Sequence, residues 1–140
     1  MEFEFSRDIN RVDWVELARV IELAPLGVRD PSKLAKAFSN SASRCFVYDA
    51  EKLIGAGRAI SDGVWRSAIF DVVVLPDYQG QGIGTKIIKF LLGNEDVDVV
   101  MLYAATGKEG FYKKLGFLKM KTAMAIMNDP ERRRESGFVE

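Results

Sequence analysis

Ala68-Ile69-Phe70-Asp71-Val72-Val73-Val74-Leu75 runs without a break into Pro76-Asp77-Tyr78-Gln79-Gly80-Gln81-Gly82-Ile83-Gly84-Thr85. The first eight residues form a near-continuous apolar run rich in β-branched side chains, which predicts a strand covered on both faces and central in a sheet. Pro76-Asp77 ends that strand. Gly84 to Leu92 then predicts a helix with Ile83, Ile87, Ile88 and Leu91 on one face and Gly93 at its C-terminus. The alternate glycines let backbone approach a ligand closely, and the free N–H groups of a first helical turn point together along the helix dipole. Strand, glycine turn and helix start in this order suit an anion cradle, and they equally suit a plain tight turn between strand and helix.

Two well-known phosphate motifs fail on these residues. A dinucleotide fingerprint needs a third glycine where Thr85 stands, and a P-loop needs Gly-Lys-Ser/Thr where Gly84-Thr85-Lys86 stands. What survives is Gln79-x-x-Gly82-x-Gly84 directly after a buried strand.

Working outward, Phe3-Glu4-Phe5-Ser6 alternates as a short strand does. Asp13 with Glu16 predicts a capping box for a helix in which Trp14, Leu17, Val20 and Ile21 share a face. Asp30 and Pro31 open a second helix over Ser32 to Phe38. Arg44 to Tyr48 and Lys52 to Ile60 predict an antiparallel hairpin across Asp49-Ala50-Glu51. Beyond the glycine turn, Val97 to Ala104 predicts a second buried strand, Glu109 to Leu115 a short helix closed by Gly116, and Phe117 to Met127 a last extended segment. Asp129 to Glu140 predicts a frayed tail or an exposed helix, with Arg132-Arg133-Arg134 a solvated charge run. The expected organisation is one domain over residues 1–128 and a charged tail over 129–140.

Composition bounds the chemistry. Among 140 residues, 20 Lys and Arg balance 20 Asp and Glu, so no strong net field holds nucleic acid or an anionic membrane. No apolar run approaches the ~20 residues of a spanning helix, and the start carries no basic-then-apolar leader, which together predict a cytoplasmic protein. Cys45 is the single cysteine, in the apolar run Cys45-Phe46-Val47-Tyr48, and reads as a buried thiol. With no histidine in the chain, Ser-His and Cys-His schemes and a histidine-ligated zinc site are excluded, and no metal is expected.

The glycine turn resembles the Gln/Arg-x-x-Gly-x-Gly/Ala signature of the GNAT superfamily of acyl-CoA N-acyltransferases. Phe111-Tyr112-Lys113-Lys114-Leu115-Gly116-Phe117 resembles the family's second signature, a short helix ending in Gly-Phe. A closer likeness joins Arg58 to Gly63, Phe70 to Val74 and Tyr78 to Gly82 with plant plastid and cyanobacterial serotonin N-acetyltransferases, a branch favouring arylalkylamine acceptors. Phe70 stands there in place of the usual tryptophan, and Ala105 in place of an aspartate.

The resemblance implies an α/β GNAT fold, a mixed central β-sheet flanked by helices, with acetyl-CoA as cosubstrate. It implies that Val72, Val73 and Val74 pair with the pantetheine arm, and that Gln79, Gly80, Gln81, Gly82, Ile83, Gly84 and Thr85 hold the pyrophosphate. Tyr112 takes the position at which the family places a tyrosine general acid. Asp71 reads either as the base for the incoming amine or as a structural hydrogen-bond partner. Glu109 reads as a complement to a helix dipole, and Tyr103 as core packing. Trp14, Phe38 and Trp65 are candidates for an acceptor pocket, with core packing the competing reading for the first two.

The expected activity is acetyl transfer to a primary amine, arylalkylamine or other small amine, by direct attack in a ternary complex. Protein lysine acetylation and non-catalytic acyl-CoA sensing are the alternatives. The expected partners are a small-molecule amine and, as an assembly, a homodimer.

Overall fold

A computed structural model describes residues 2–93 and 96–140 of the chain. Its contacts divide it into two compact units, Met1–Leu102 and Tyr103–Glu140.

The first unit is a mixed five-stranded sheet with helices packed against it. In chain order it contains β1 (Glu4–Ser6), α1 (Trp14–Leu23), α2 (Pro31–Ser39), β2 (Ser43–Asp49), β3 (Lys52–Ser61), β4 (Arg66–Val74), α3 (Ile83–Leu92) and β5 (Val99–Met101). The spatial order is β1-β2-β3-β4-β5, antiparallel except for the parallel pair β4 and β5.

Local chemistry explains where the helices start. Asp13 accepts the N–H groups of Val15 and Glu16, and Asp30 accepts that of Lys33 with Pro31 in the first turn. The capping box expected at α1 does not close, because Glu16 Oε2 accepts the Leu53 N–H at 3.0 Å and so ties the helix to β3 instead.

Alternation along the hairpin divides the layers. Phe46 clusters with Trp14 of α1 and Phe38 of α2, with ring centroids 5.4 to 6.0 Å apart, so that face of the sheet is covered by the first two helices. The opposite face, bearing Gly55 and Gly57, lies under α3. A Cβ on Gly57 would sit 2.8 Å from Ile87 Cγ2, so only glycine admits the helix this closely.

Three expectations are corrected. β4 lies inside the sheet, paired on both sides, but it is not covered along its length as expected: only Ser67, Ile69 and Val73 within it are buried. The second buried strand shrinks to the half-buried Val99–Met101, because its ladder with β4 ends at Met101. Phe117 to Met127 forms no strand. Leu118, Met124 and Ile126 within it are fully exposed or nearly so, and an extended segment makes a strand only where a sheet edge supplies hydrogen bonds.

The second unit contains α4 (Glu109–Lys114) and α5 (Pro130–Glu135). Asp129 caps α5, so the charged tail takes the exposed-helix form, and Thr106 Oγ1 donates to the Ser136 carbonyl at 2.6 Å to hold its end.

Candidate active site

β4 carries an irregularity at the position that matters most. The β3–β4 register passes from Ala56↔Val73 to Arg58↔Phe70, so Gly57 alone faces both Asp71 and Val72. Asp71 takes a φ of 57°. This is a β-bulge with a left-handed residue, which leaves the extra residue out of the ladder and bends the strand. Aspartate is one of the few side chains that tolerate that conformation.

Two arginines hold it there. Arg58 Nε donates to Asp71 Oδ2 at 2.8 Å, and Arg29 Nη1, from the loop between α1 and α2, reaches Oδ1 at 2.9 Å. The Asp71 side chain is only 7% exposed, so both oxygens are committed inside the protein. With one guanidinium on each oxygen and little of the side chain open, the carboxylate is screened from an incoming amine. The geometry therefore favours the structural-partner reading of Asp71. Asp71→Ala is expected to cost about 2 kcal/mol in urea unfolding, below the figure for a fully buried pair because Arg29 is a third open to solvent. Asp71→Asn keeps the tolerance for positive φ and is expected to lose less.

Beyond the bulge β4 is open on one side. Its parallel ladder with β5 consists of Arg66↔Val99, Ser67↔Val100 and Ala68↔Met101, so from Ile69 to Val74 the edge facing β5 has no ladder partner among the described residues. Val72, Val73 and Val74 lie on this stretch.

The strand feeds directly into the glycine turn. Leu75 N–H donates to the Ile54 carbonyl at 2.8 Å, and the side-chain amide of Gln79 donates to the Val74 carbonyl at 2.9 Å, folding the turn back on the strand end. Gly80 and Gly82 have φ of 80° and 81°, and Gly82 is the N-cap of α3. The first bond of the helix is Lys86 N–H to the Gly82 carbonyl, and no side chain caps this end. The N–H groups of Ile83, Gly84 and Thr85 therefore lack intrahelical acceptors and remain available to an anion, with the helix dipole behind them.

The turn is braced from the far hairpin. Tyr78 Oη donates to Asp49 Oδ2 at 2.6 Å, and its ring meets Phe3 edge-on at 5.7 Å. The same hydrogen bond pushes the Tyr78 phenol above its ordinary pKa. Tyr78→Phe is expected to loosen the turn and so to weaken, several-fold in calorimetry, the binding of an anion held there, since it removes the bond to Asp49.

Tyr112 belongs to the second unit. It lies in α4, half-buried between Phe111 and Phe117, whose rings meet it edge-on at 4.9 and 5.7 Å. Burial raises its phenol above the ordinary value of 10.0. The helix ends as the Gly-Phe signature requires: Gly116 has a φ of 96°, and Phe117 N–H donates to the Tyr112 carbonyl.

The remaining candidates sort by environment. Cys45 is fully buried, and burial pushes its thiol up to about 12, which keeps it protonated and inert. Trp14 and Phe38 belong to the aromatic core, and Trp65 stands exposed on the turn between β3 and β4. Tyr103 is 61% exposed, not core, and its ring meets Phe138. Glu109 Oε1 accepts the Gly107 N–H at 2.9 Å and so serves its own helix start. In α5, Arg134 pairs with Glu131, and Arg132 lies 3.9 Å from Asp129.

Sequence reading missed Arg29, Arg58 and Tyr78 as elements of the site. Arg58 and Tyr78 fall within the segments that carry the family likeness, but their partners are distant in sequence and nothing local marks their role. Among the described residues, no cluster of Cys, Asp or Glu is arranged to hold a metal ion, and no helix is long and apolar enough to cross a membrane.

Residues 41–119 match the acetyltransferase (GNAT) domain family. The chain is 30% identical over 120 residues to the uncharacterized N-acetyltransferase ycf52 of Pyropia yezoensis, covering 84% of this chain and 64% of that protein. It is 33% identical over 120 residues to the histone acetyltransferase TAP1 of Glycine max, covering 76% and 52%. The chain thus spans less than two thirds of the length of either relative. A probable acetyltransferase of meticillin-resistant Staphylococcus aureus superposes with a TM-score of 0.80 at 27% identity, over 91% of this chain and 100% of that one.

Proposed function

The chain belongs to the GNAT acetyltransferase family, and from that premise we propose that it transfers an acetyl group from acetyl-CoA to a primary amine of a small molecule, arylalkylamines included. The observation that carries this reading is the uncapped start of α3, set one turn beyond the open edge of β4. The fit to a pyrophosphate is chemical: left-handed glycines at 80 and 82 orient the turn, and backbone N–H groups of residues 83 to 85 supply donors with no acceptor of their own.

Acetyl-CoA supplies the activated acyl group as a thioester. The protein's part is to bind, orient and move protons. Backbone of Val72 to Val74 pairs with the extended amide-bearing arm as a further strand would, and an N–H released at the bulge polarises the carbonyl on which charge develops. Arg29 and Arg58 hold Asp71 so that the bulge keeps this shape. Tyr112, kept protonated by burial, gives its proton to the departing thiolate. The proton released by the attacking amine passes to water.

A second reading, acetylation of protein lysines, is favoured by the likeness to a relative named as a histone acetyltransferase. The deciding experiment follows CoA thiol release with arylalkylamines, polyamines and lysine peptides. Saturable release with a free amine supports the small-molecule reading. Release with peptides alone transfers the assignment to protein substrates, and silence with every acceptor sinks both.

A further inference from the structure

Along α2 and the loop that precedes it lies a hollow of about 450 Å³, half open to solvent and lined by Val28, Arg29, Asp30, Lys33, Leu34 and Ala37. That volume is in the range of sites for small organic ligands. Arg29 ties it to the β4 bulge, because the same guanidinium that lines the cavity also binds Asp71.

The charges of this cavity are unbalanced. Asp71 is shared between Arg29 and Arg58, so one carboxylate answers two guanidinium groups. Asp30 is engaged by its own helix, accepting from the Ser32 hydroxyl and the Lys33 N–H. The Lys33 ammonium makes no hydrogen bond or close ion pair among the described residues and interacts at longer range with the Asp30 carboxylate, so the three cations Arg29, Arg58 and Lys33 face the two carboxylates Asp30 and Asp71, and Arg29 keeps a third of its side chain open. Because Asp30 already caps α2, the helix end offers little to a ligand, and the side-chain cations provide the recognition.

We infer that the acceptor is an amine that also carries an acidic group, with a carboxylate or phosphate seated on Arg29 and Lys33 and an apolar body against Val28, Leu34 and Ala37. The identification of the ligand as an acceptor rests on the acyltransferase reading. The preference for an acidic group rests on the cavity alone. A simple alkylamine offers nothing to Lys33.

The test uses the full chain and matched amines: 4-aminobutyrate against butylamine, and O-phosphoethanolamine against ethanolamine. Amide chemical shifts of isotope-labelled protein report binding, and thiol release with acetyl-CoA reports turnover. The expected result is perturbation around residues 28–37 by the acidic member of at least one pair, with about tenfold tighter binding than its neutral match. Which pair responds separates carboxylate from phosphate. Lys33→Gln, an exposed substitution outside the catalytic machinery, is expected to erase most of that preference and leave acetyl-CoA affinity unchanged. Equal binding of acidic and neutral amines, or a preference that survives Lys33→Gln, overturns the inference. Selective binding without thiol release from any acceptor leaves the cavity assignment standing and removes the acyltransferase reading.

Discussion

Gly82→Val is expected to weaken acetyl-CoA binding by about a hundredfold in calorimetry, with the fold retained. The cause lies in the backbone. A Cβ at residue 82 meets no protein atom within 4 Å, so the substitution creates no internal clash. The φ of 81° is the difficulty, since a left-handed conformation costs an ordinary L-residue ~1–2 kcal/mol and a β-branched one more. The chain relieves that strain by turning the N-cap of α3, which carries the N–H groups of Ile83, Gly84 and Thr85 out of alignment. Each 1.4 kcal/mol is tenfold in affinity, so strain and lost donors together reach the stated figure. Gly82→Asn separates the two contributions, because asparagine tolerates positive φ and should retain more binding than valine. A circular dichroism melt close to wild type establishes that the loss belongs to the cradle. Unchanged affinity in the valine variant removes the cradle from the account.

Tyr112→Phe is expected to lower kcat by about 10² to 10⁴, the usual range for a positioned general acid, while acetyl-CoA affinity moves little. Phenylalanine keeps the ring contacts with Phe111 and Phe117, so the helix it sits in has no packing reason to change. The pH profile supplies an independent check. Burial favours the neutral phenol, so the acid-competent form is complete at neutral pH and is lost only as pH rises past the ordinary value of 10.0. An alkaline limb above that value is expected in the wild type and absent from the variant. Equal losses in affinity and turnover point instead to a packing role.

How legible these features were depends on the range of the interaction behind each. Helices α1 and α2 and the hairpin of β2 and β3 follow from nearest-neighbour signals: Asp13, Asp30 with Pro31, and two runs rich in apolar and β-branched residues on either side of a short turn. The glycine turn is local too, and its residues stand where the motif put them. The bulge at Asp71 was not legible, because Phe70 to Val74 reads as uninterrupted strand and the cause of the left-handed residue is a pair of arginines from other elements. Nor was the braced Tyr78, whose partner Asp49 lies in the far hairpin. Phe117 to Met127 shows the converse error. It reads as an extended segment, but strand formation needs a ladder partner that the local sequence does not supply.

The central claim is that the turn from Gln79 to Thr85 binds the pyrophosphate of acetyl-CoA, and calorimetric titration of the full chain with acetyl-CoA tests it most directly. Saturable one-site binding, competed by CoA and weakened in Gly82→Val, is the predicted result. A folded protein that gives no binding heat, and no competition at any accessible concentration, contradicts the account.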